Sequence, residues 1–372
     1  MPVRSPARSP LREARDAAAT AALPAALPAS GRTAPASSAG RGRHLRRRQL
    51  RALFAIDAVA GSRSDPATGA LEILELFRDV VPYAAASFSA WNPLTDRHET
   101  VASCGYPPAL LEHVDTWFVR HDPVYVLMRT QDPRPLRWRD MPFDYRSTYT
   151  ATEFLIPLGF DEGVTTCLYT PDGRYTGSFH VSCDSPEHPT DAAMDAFAVL
   201  QSTLAGLLDA LRGPACMAAT IAPGAEAAIL TPSGELVALP GRPCGSHLRG
   251  RGPLASVVLA LLDTRSAVSR GMWRADDNTW LSVRLEPLDG GTLVVCAPAD
   301  PPHELTAREL EVLTLMAHGA SNPQVAATLT ISVKTVARHV EHILEKLGAP
   351  TRSAAAARAV AEGLVLLRAP VV

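Results

Sequence analysis

Apolar residues recur at helical spacing in two early stretches of the chain. Leu50, Leu53, Phe54 and Ile56 to Val59 open the first. Leu71, Ile73, Leu74, Leu76, Phe77 and Val80 form the second, which stops at Pro82. Both predict helices, because positions three and four apart share one helical face. Shorter runs then read as strands. Ala86 to Trp91 leads into a turn at Asn92-Pro93. Val164 to Tyr169, the turn signal Pro171-Asp172-Gly173 and Tyr175 to Ser182 predict an antiparallel hairpin. Met194, Phe197, Ala198, Leu200, Leu204, Leu207, Leu208 and Leu211 make one broad stripe, predicting an amphipathic helix over 191–211. Helix, sheet and closing helix in that order predict an antiparallel sheet with helices on its faces, over residues 49–212.

A smaller α+β unit is expected over 213–299. Ala227 to Thr231 and Glu235 to Leu239 flank Pro232-Ser233-Gly234, a hairpin signal. Leu254 to Leu262 reads as a helix, and Trp280 to Pro287 with Gly291 to Ala297 as a second hairpin across Asp289-Gly290. The outline is PAS-like, and Pro298 to Pro302 reads as a linker.

The last segment is the most clearly punctuated. Thr306 and Glu309 form a Thr-x-x-Glu capping box ahead of Leu310, Val312, Leu313, Leu315 and Met316, and Gly319 stops that helix. Ser321-Asn322-Pro323 starts a second, with Pro at an early position where its missing donor costs little. Thr330 and Ile331 connect it to a third, which Ser332 caps and Gly348 ends. Val333, Val336, Val340, Ile343, Leu344 and Leu347 are its apolar face; Lys334, Arg338, His339, His342 and Lys346 lie elsewhere on it. A fourth helix is expected from Thr351 to Gly363. Two short helices joined by a tight turn, the second cationic, are the pattern of a helix-turn-helix, and the major groove accepts such a helix. Spacing alone also allows a plain four-helix bundle with a solvated basic face, serving protein interaction.

Composition changes this picture in three places. The chain has 372 residues and 47% hydrophobic content, enough for two or three domains. Its net charge of −2 gives no global case for nucleic-acid binding, so any basic surface is local. It has two lysines, Lys334 and Lys346. That excludes a Walker A loop or a Lys Schiff base before residue 334, and it disfavours a phosphorylation-receiver domain. Cys104, Cys167, Cys183, Cys216, Cys244 and Cys296 are scattered and read as reduced thiols in a cytoplasmic protein. Residues 1–48, rich in Ala, Pro, Ser and Arg, read as a disordered tail. Arg46-Arg47-Arg48 reads as a solvated charge run. No run of eighteen apolar residues suggests a membrane span. His180, Cys183 and His188 have a spacing a metal could use, but on a strand His180 and Cys183 point to opposite faces. Neither a metal nor another cofactor is expected. No catalytic signature rises above chance, so an enzyme is not expected.

The anchors of the last segment resemble the LuxR-type helix-turn-helix family over 303–366. They are Leu305-Thr306-Ala307-Arg308-Glu309-Leu310-Glu311-Val312-Leu313, Gly319-Ala320-Ser321-Asn322, Ile331-Ser332-Val333-Lys334-Thr335-Val336, His339-Val340 and Lys346-Leu347-Gly348. The resemblance implies an all-α four-helix DNA-binding domain, with a recognition helix over 333–347 and a homodimer contact through the last helix. It implies double-stranded DNA and RNA polymerase as partners of a transcriptional regulator. Base contacts would fall on Ala337, Arg338 and Glu341. Arg338 suits guanine, Ala337 a thymine methyl and Glu341 cytosine N4. Lys334, Thr335, Lys346 and Arg352 would suit phosphates.

Trp117, His121-Asp122-Pro123-Val124, Pro135-Leu136-Arg137-Trp138, Gly159 and Gly163 faintly resemble the autoinducer-binding domains of quorum-sensing regulators. GAF-type sensor domains have a comparable hairpin and closing helix. In the autoinducer family an Asp like Asp122 accepts from a ligand amide and a Trp like Trp138 packs on the lactone. Here Ala109 and His113 stand where that pattern has aromatic residues. Another small-molecule ligand, or a ligandless contact domain, fits as well. Trp117, Asp122, Trp138 and Tyr149 are the candidate ligand pocket. The expected whole is a multidomain chain with GAF/PAS-like sensor domains of α/β (α+β) class followed by the helix-turn-helix.

Overall fold

The computed structural model describes residues 45–62, 65–245, 247–249, 252–263 and 269–367. Residues 1–44 of the tail expected over 1–48 lie outside them. Arg47 and Arg48 already belong to the first helix, and Arg48 pairs with Asp79 at 2.5 Å rather than standing free.

The first domain is one antiparallel sheet, ordered β2-β1-β5-β4-β3. Its strands are β1 (Ala85–Asn92), β2 (Arg97–Cys104), β3 (Leu136–Arg137), β4 (Glu162–Tyr169) and β5 (Tyr175–Cys183). The two faces differ because successive side chains on a strand point oppositely. Along β5, Phe179, Val181 and Cys183 join the apolar core, while Ser178, His180 and Ser182 turn to the other side. The apolar face is covered by α1 (Arg47–Gly61), α2 (Pro66–Phe77) and α5 (Asp191–Leu207). Phe88 and Phe179 are register partners and stack at 4.2 Å, with Phe77 set edge-on to Phe179 at 5.0 Å. Asp65 starts α2 by accepting the Thr68 N–H at 3.1 Å, with Pro66 in the first turn. The helix ends at Phe77, short of the apolar pattern, and Val80 and Val81 reach the core from a turn instead.

The polar face is roofed by α3 (Pro108–His113), which runs through a π-helical turn (Val114–Phe118) and a last turn (Val119–His121) into α4 (Pro123–Thr130). Neither these helices nor β2 were expected. The first half of β2, Arg97-His98-Glu99-Thr100, carries no apolar residue to mark its alternation.

The second sheet is ordered β7-β6-β10-β9-β8. It comprises β6 (Glu226–Leu230), β7 (Leu236–Ala238), β8 (Arg270–Arg274), β9 (Trp280–Leu288) and β10 (Gly291–Pro298). On one face Ile229, Leu293 and Val295 share a core with Ala218 of α6 (Arg212–Ile221). On the other, Leu230, Val283 and Val294 pack with Leu254 and Val258 of α7 (Pro253–Asp263). No single described helix is long and apolar enough to cross a membrane.

The C-terminal domain holds α8 (Ala307–Ala317), α9 (Asn322–Leu329), α10 (Val333–Leu347) and α11 (Arg352–Glu362). Its core gathers Leu310, Leu313, Val325, Val336, Ile343, Leu347 and Ala355. The chain then adds a short segment to the second sheet. The Met272 N–H donates to the Val365 carbonyl and the Leu367 N–H to the Met272 carbonyl, both at 2.8 Å, so residues 365–367 run parallel to edge strand β8. Gly271 permits that approach: a Cβ there would lie 2.6 Å from both Leu367 Cδ2 and the Val365 carbonyl oxygen.

Candidate nucleic-acid interface

Helix α10 is oriented by its ends. Ser332 caps it, accepting the Thr335 N–H at 3.0 Å, and the two hydroxyls pair at 2.8 Å. The turn before it is tight because Thr330 takes a left-handed conformation (φ 53°), which lets the Ile331 N–H return to the Ala326 carbonyl at 3.0 Å. Three arginines satisfy carbonyls that helices leave free at their C-termini. Arg308 donates to Leu329 of α9 at 2.8 Å, Arg358 to Leu347 of α10, and Arg352 to Ala320 between α8 and α9.

With Val336, Ile343 and Leu347 buried, the opposite side of α10 faces solvent. Lys334, Arg338 and Glu341 are exposed there and Ala337 is half-buried. These positions follow the i, i+3, i+4, i+7 spacing of one helical strip. Among the described residues neither Lys334 nor Arg338 has an ion-pair partner. Charge on this strip is therefore available to a ligand.

Lys346 and Arg352, expected at phosphates, have partners inside the domain. The Lys346 ammonium lies 2.8 Å from Glu309 Oε2 and 2.8 Å from the Glu304 carbonyl. Arg352 donates to Asn322 Oδ1 at 2.9 Å as well as to Ala320. For Lys346 the physical reason is Glu309, only 4% exposed, which needs compensation. It also accepts the Thr306 N–H at 2.8 Å, completing the capping box, and His342 stands 3.7 Å away. Burial pushes the Glu309 carboxyl up, but hydrogen bonds from Lys346 and Thr306 outweigh it and hold the group below its ordinary range.

In the first domain the four candidate pocket residues do not share one pocket. Asp122 is fully buried and starts α4, accepting the Val124 N–H at 3.0 Å and the Thr150 hydroxyl at 2.5 Å. Its short side chain is used locally as a helix cap. Burial pushes its carboxyl up to about 6, against those two hydrogen bonds. Trp138 lines a cavity of about 20 Å³ beside Tyr145, Thr150 and His180. Trp117 instead lines a separate cavity of about 950 Å³. Tyr149 lines neither; it is 51% exposed and packs on Trp117 at 4.9 Å. The residues missed at the large cavity are Trp91, His98, Tyr125, Arg129 and Tyr175. His180 bonds Ser178 at 2.8 Å, and among the described residues no group of three His, Cys, Asp or Glu side chains could hold a metal.

The family model for bacterial regulatory proteins of the luxR family matches residues 303–359. The transcriptional regulatory protein DegU of Brevibacillus brevis is 44% identical over 68 residues, 18% of this chain and 29% of that protein. The nitrate/nitrite response regulator protein NarP of Escherichia coli is 48% identical over 59 residues, 16% of this chain and 27% of that protein. The chain thus spans less than a third of either relative. Among solved structures, Escherichia coli SdiA is 19% identical, covering 86% of this chain and 98% of that one with a TM-score of 0.31. A GAF domain from an Acinetobacter phosphoenolpyruvate-protein phosphotransferase is 15% identical, covering 44% and 94% with a TM-score of 0.34. The capped helices, the tight turn at Thr330 and the family match agree: residues 303–359 of this chain form a regulatory domain of the luxR family.

Proposed function

We propose that the chain is a transcriptional regulator that binds double-stranded DNA site-specifically through α10. The observation that carries this reading is the exposed strip Lys334, Ala337, Arg338, Glu341 on a helix whose ends and buried face are both fastened. Arg338 would read guanine by a bidentate contact, Ala337 would meet a thymine methyl and Glu341 would accept from cytosine. Lys334 and Thr335 would hold phosphates and set the register. Lys346 and Arg352 brace the domain in this reading, since a phosphate would have to displace Glu309 or Asn322. A homodimer through α11 fits the exposure of Val360, at 60%. RNA polymerase is the downstream partner, and the two sheet domains are the sensor region, with a small molecule as input. In vitro site selection with the full-length chain tests the proposal. An enriched motif whose binding falls steeply with salt is expected; absence of any enriched motif would make the helical bundle a protein-interaction module instead.

A further inference from the structure

The large cavity of the first domain is separate from the small one. Phe118 stands between them, its ring 5.2 Å from His180 of the small cavity and 6.0 Å from Tyr125 of the large one. At about 950 Å³ the large cavity is of the size that small-molecule sites occupy.

Its floor is aromatic and tied together. His98 Nε2 lies 3.0 Å from the Tyr175 hydroxyl and 3.3 Å from that of Tyr125, and Trp91 sits 5.0 Å from the His98 ring. The rim carries Arg120 and Arg129, both exposed. Arg129 lies over the Tyr175 ring at 3.8 Å and donates to the Tyr169 hydroxyl at 3.3 Å. Among the described residues neither arginine has a carboxylate partner.

Asp96, Glu99 and Asp115 also line the cavity, but among the described residues none of them forms an ion pair with Arg120 or Arg129. Asp115 accepts from the Ser89 hydroxyl at 2.5 Å and from the Thr100 N–H and hydroxyl at 2.7 Å each, which holds it on the strands. Glu99 and Arg97, which flank His98 on β2, also line the cavity and carry opposite charges. Asp96 is exposed in the turn before the strand. Burial first, then Arg129 and Arg120, push His98 down to about 4, which keeps that ring neutral.

We infer that this cavity binds a small aromatic carboxylate, its ring against the Trp91, Tyr125 and Tyr175 platform and its carboxylate on Arg120 and Arg129. A neutral aromatic would leave the two guanidiniums unanswered, and inorganic phosphate would leave the platform empty. Both charge-assisted hydrogen bonding and ring contact are needed to use the whole site.

Calorimetric titration of the full-length chain tests this with 4-hydroxybenzoate and indole-3-acetate, their amides, and inorganic phosphate. At least one acid should bind saturably at one site, about tenfold more tightly than its amide. Arg120→Gln, an exposed substitution, should weaken the acid about tenfold and leave the amide unchanged. Arg129→Gln should act in the same direction. Equal affinity for acid and amide, phosphate binding as tightly as the acids, no binding of either acid, or an Arg120→Gln protein unchanged toward the acid would each overturn the assignment.

Discussion

Lys346 separates two accounts of the recognition helix, and Lys346→Met tests them. Methionine keeps the alkyl stem and deletes the charge. The Glu309 side chain, 5% exposed, would keep the Thr306 N–H at 2.8 Å but lose the ammonium at the same distance. Removing one partner of a fully buried pair costs about 3–5 kcal/mol. Lys346 is 30% exposed, and His342 stands 3.7 Å from the carboxylate, so solvent and that ring blunt the loss. About 2 kcal/mol is the expected cost. Hydrogen–deuterium exchange of α8 and α10 in the full-length chain should then quicken about thirtyfold. Adding Glu309→Gln removes the stranded charge while keeping an acceptor for Thr306, and should recover about 1 kcal/mol. The salt dependence of DNA binding should keep its slope. A phosphate-bound Lys346 predicts the reverse: unchanged exchange, and a slope shallower by about 0.9. That pair of results would refute the bracing role.

Three further outcomes follow from the same geometry. Arg338→Ala should relax discrimination at one base pair by about 1–3 kcal/mol while sparing weak nonspecific binding; an unchanged ratio of specific to nonspecific affinity in a gel-shift titration would rule Arg338 out as a base reader. Asp122 titrates near 3.8 when unperturbed and is pushed up to about 6 in the fold, so the folded chain takes the proton first. Its favourable contribution is therefore complete below about pH 4 and lost as pH rises through about 6. Asp122→Asn should gain stability relative to the parent across that window, and a constant offset between their urea midpoints would show that the carboxyl does not titrate there. Gly271→Ala should push the 365–367 segment off β8, at a cost of about 1–3 kcal/mol; undiminished exchange protection of the Leu367 amide would contradict the close packing.

What could be read beforehand was local. The C-terminal domain was legible because its stop and start signals act within a turn or two: Thr306 with Glu309, Ser332 with Thr335, and glycines at 319, 348 and 363, all with positive φ. The hairpin of β4 and β5 was legible for the same reason. So were β9 and β10, since two strands joined by a short turn carry their own register.

What tertiary structure decided was where charge and ring faces converge. Nothing within reach of Lys346 in sequence says that Glu309, 37 residues earlier, will be buried against it. His98, Tyr125 and Tyr175 meet only because β2, β1 and β5 lie side by side while α4 crosses above them. Asp122 caps its own helix with one oxygen, but the other meets Thr150, 28 residues later. Backbone geometry and helix caps are written in neighbouring residues, so the chain alone pointed to a helix-turn-helix and to antiparallel strands with helices ahead of it. Electrostatic partners and cavities depend on residues tens of positions apart, and only the packing of the sheets and helices chose them.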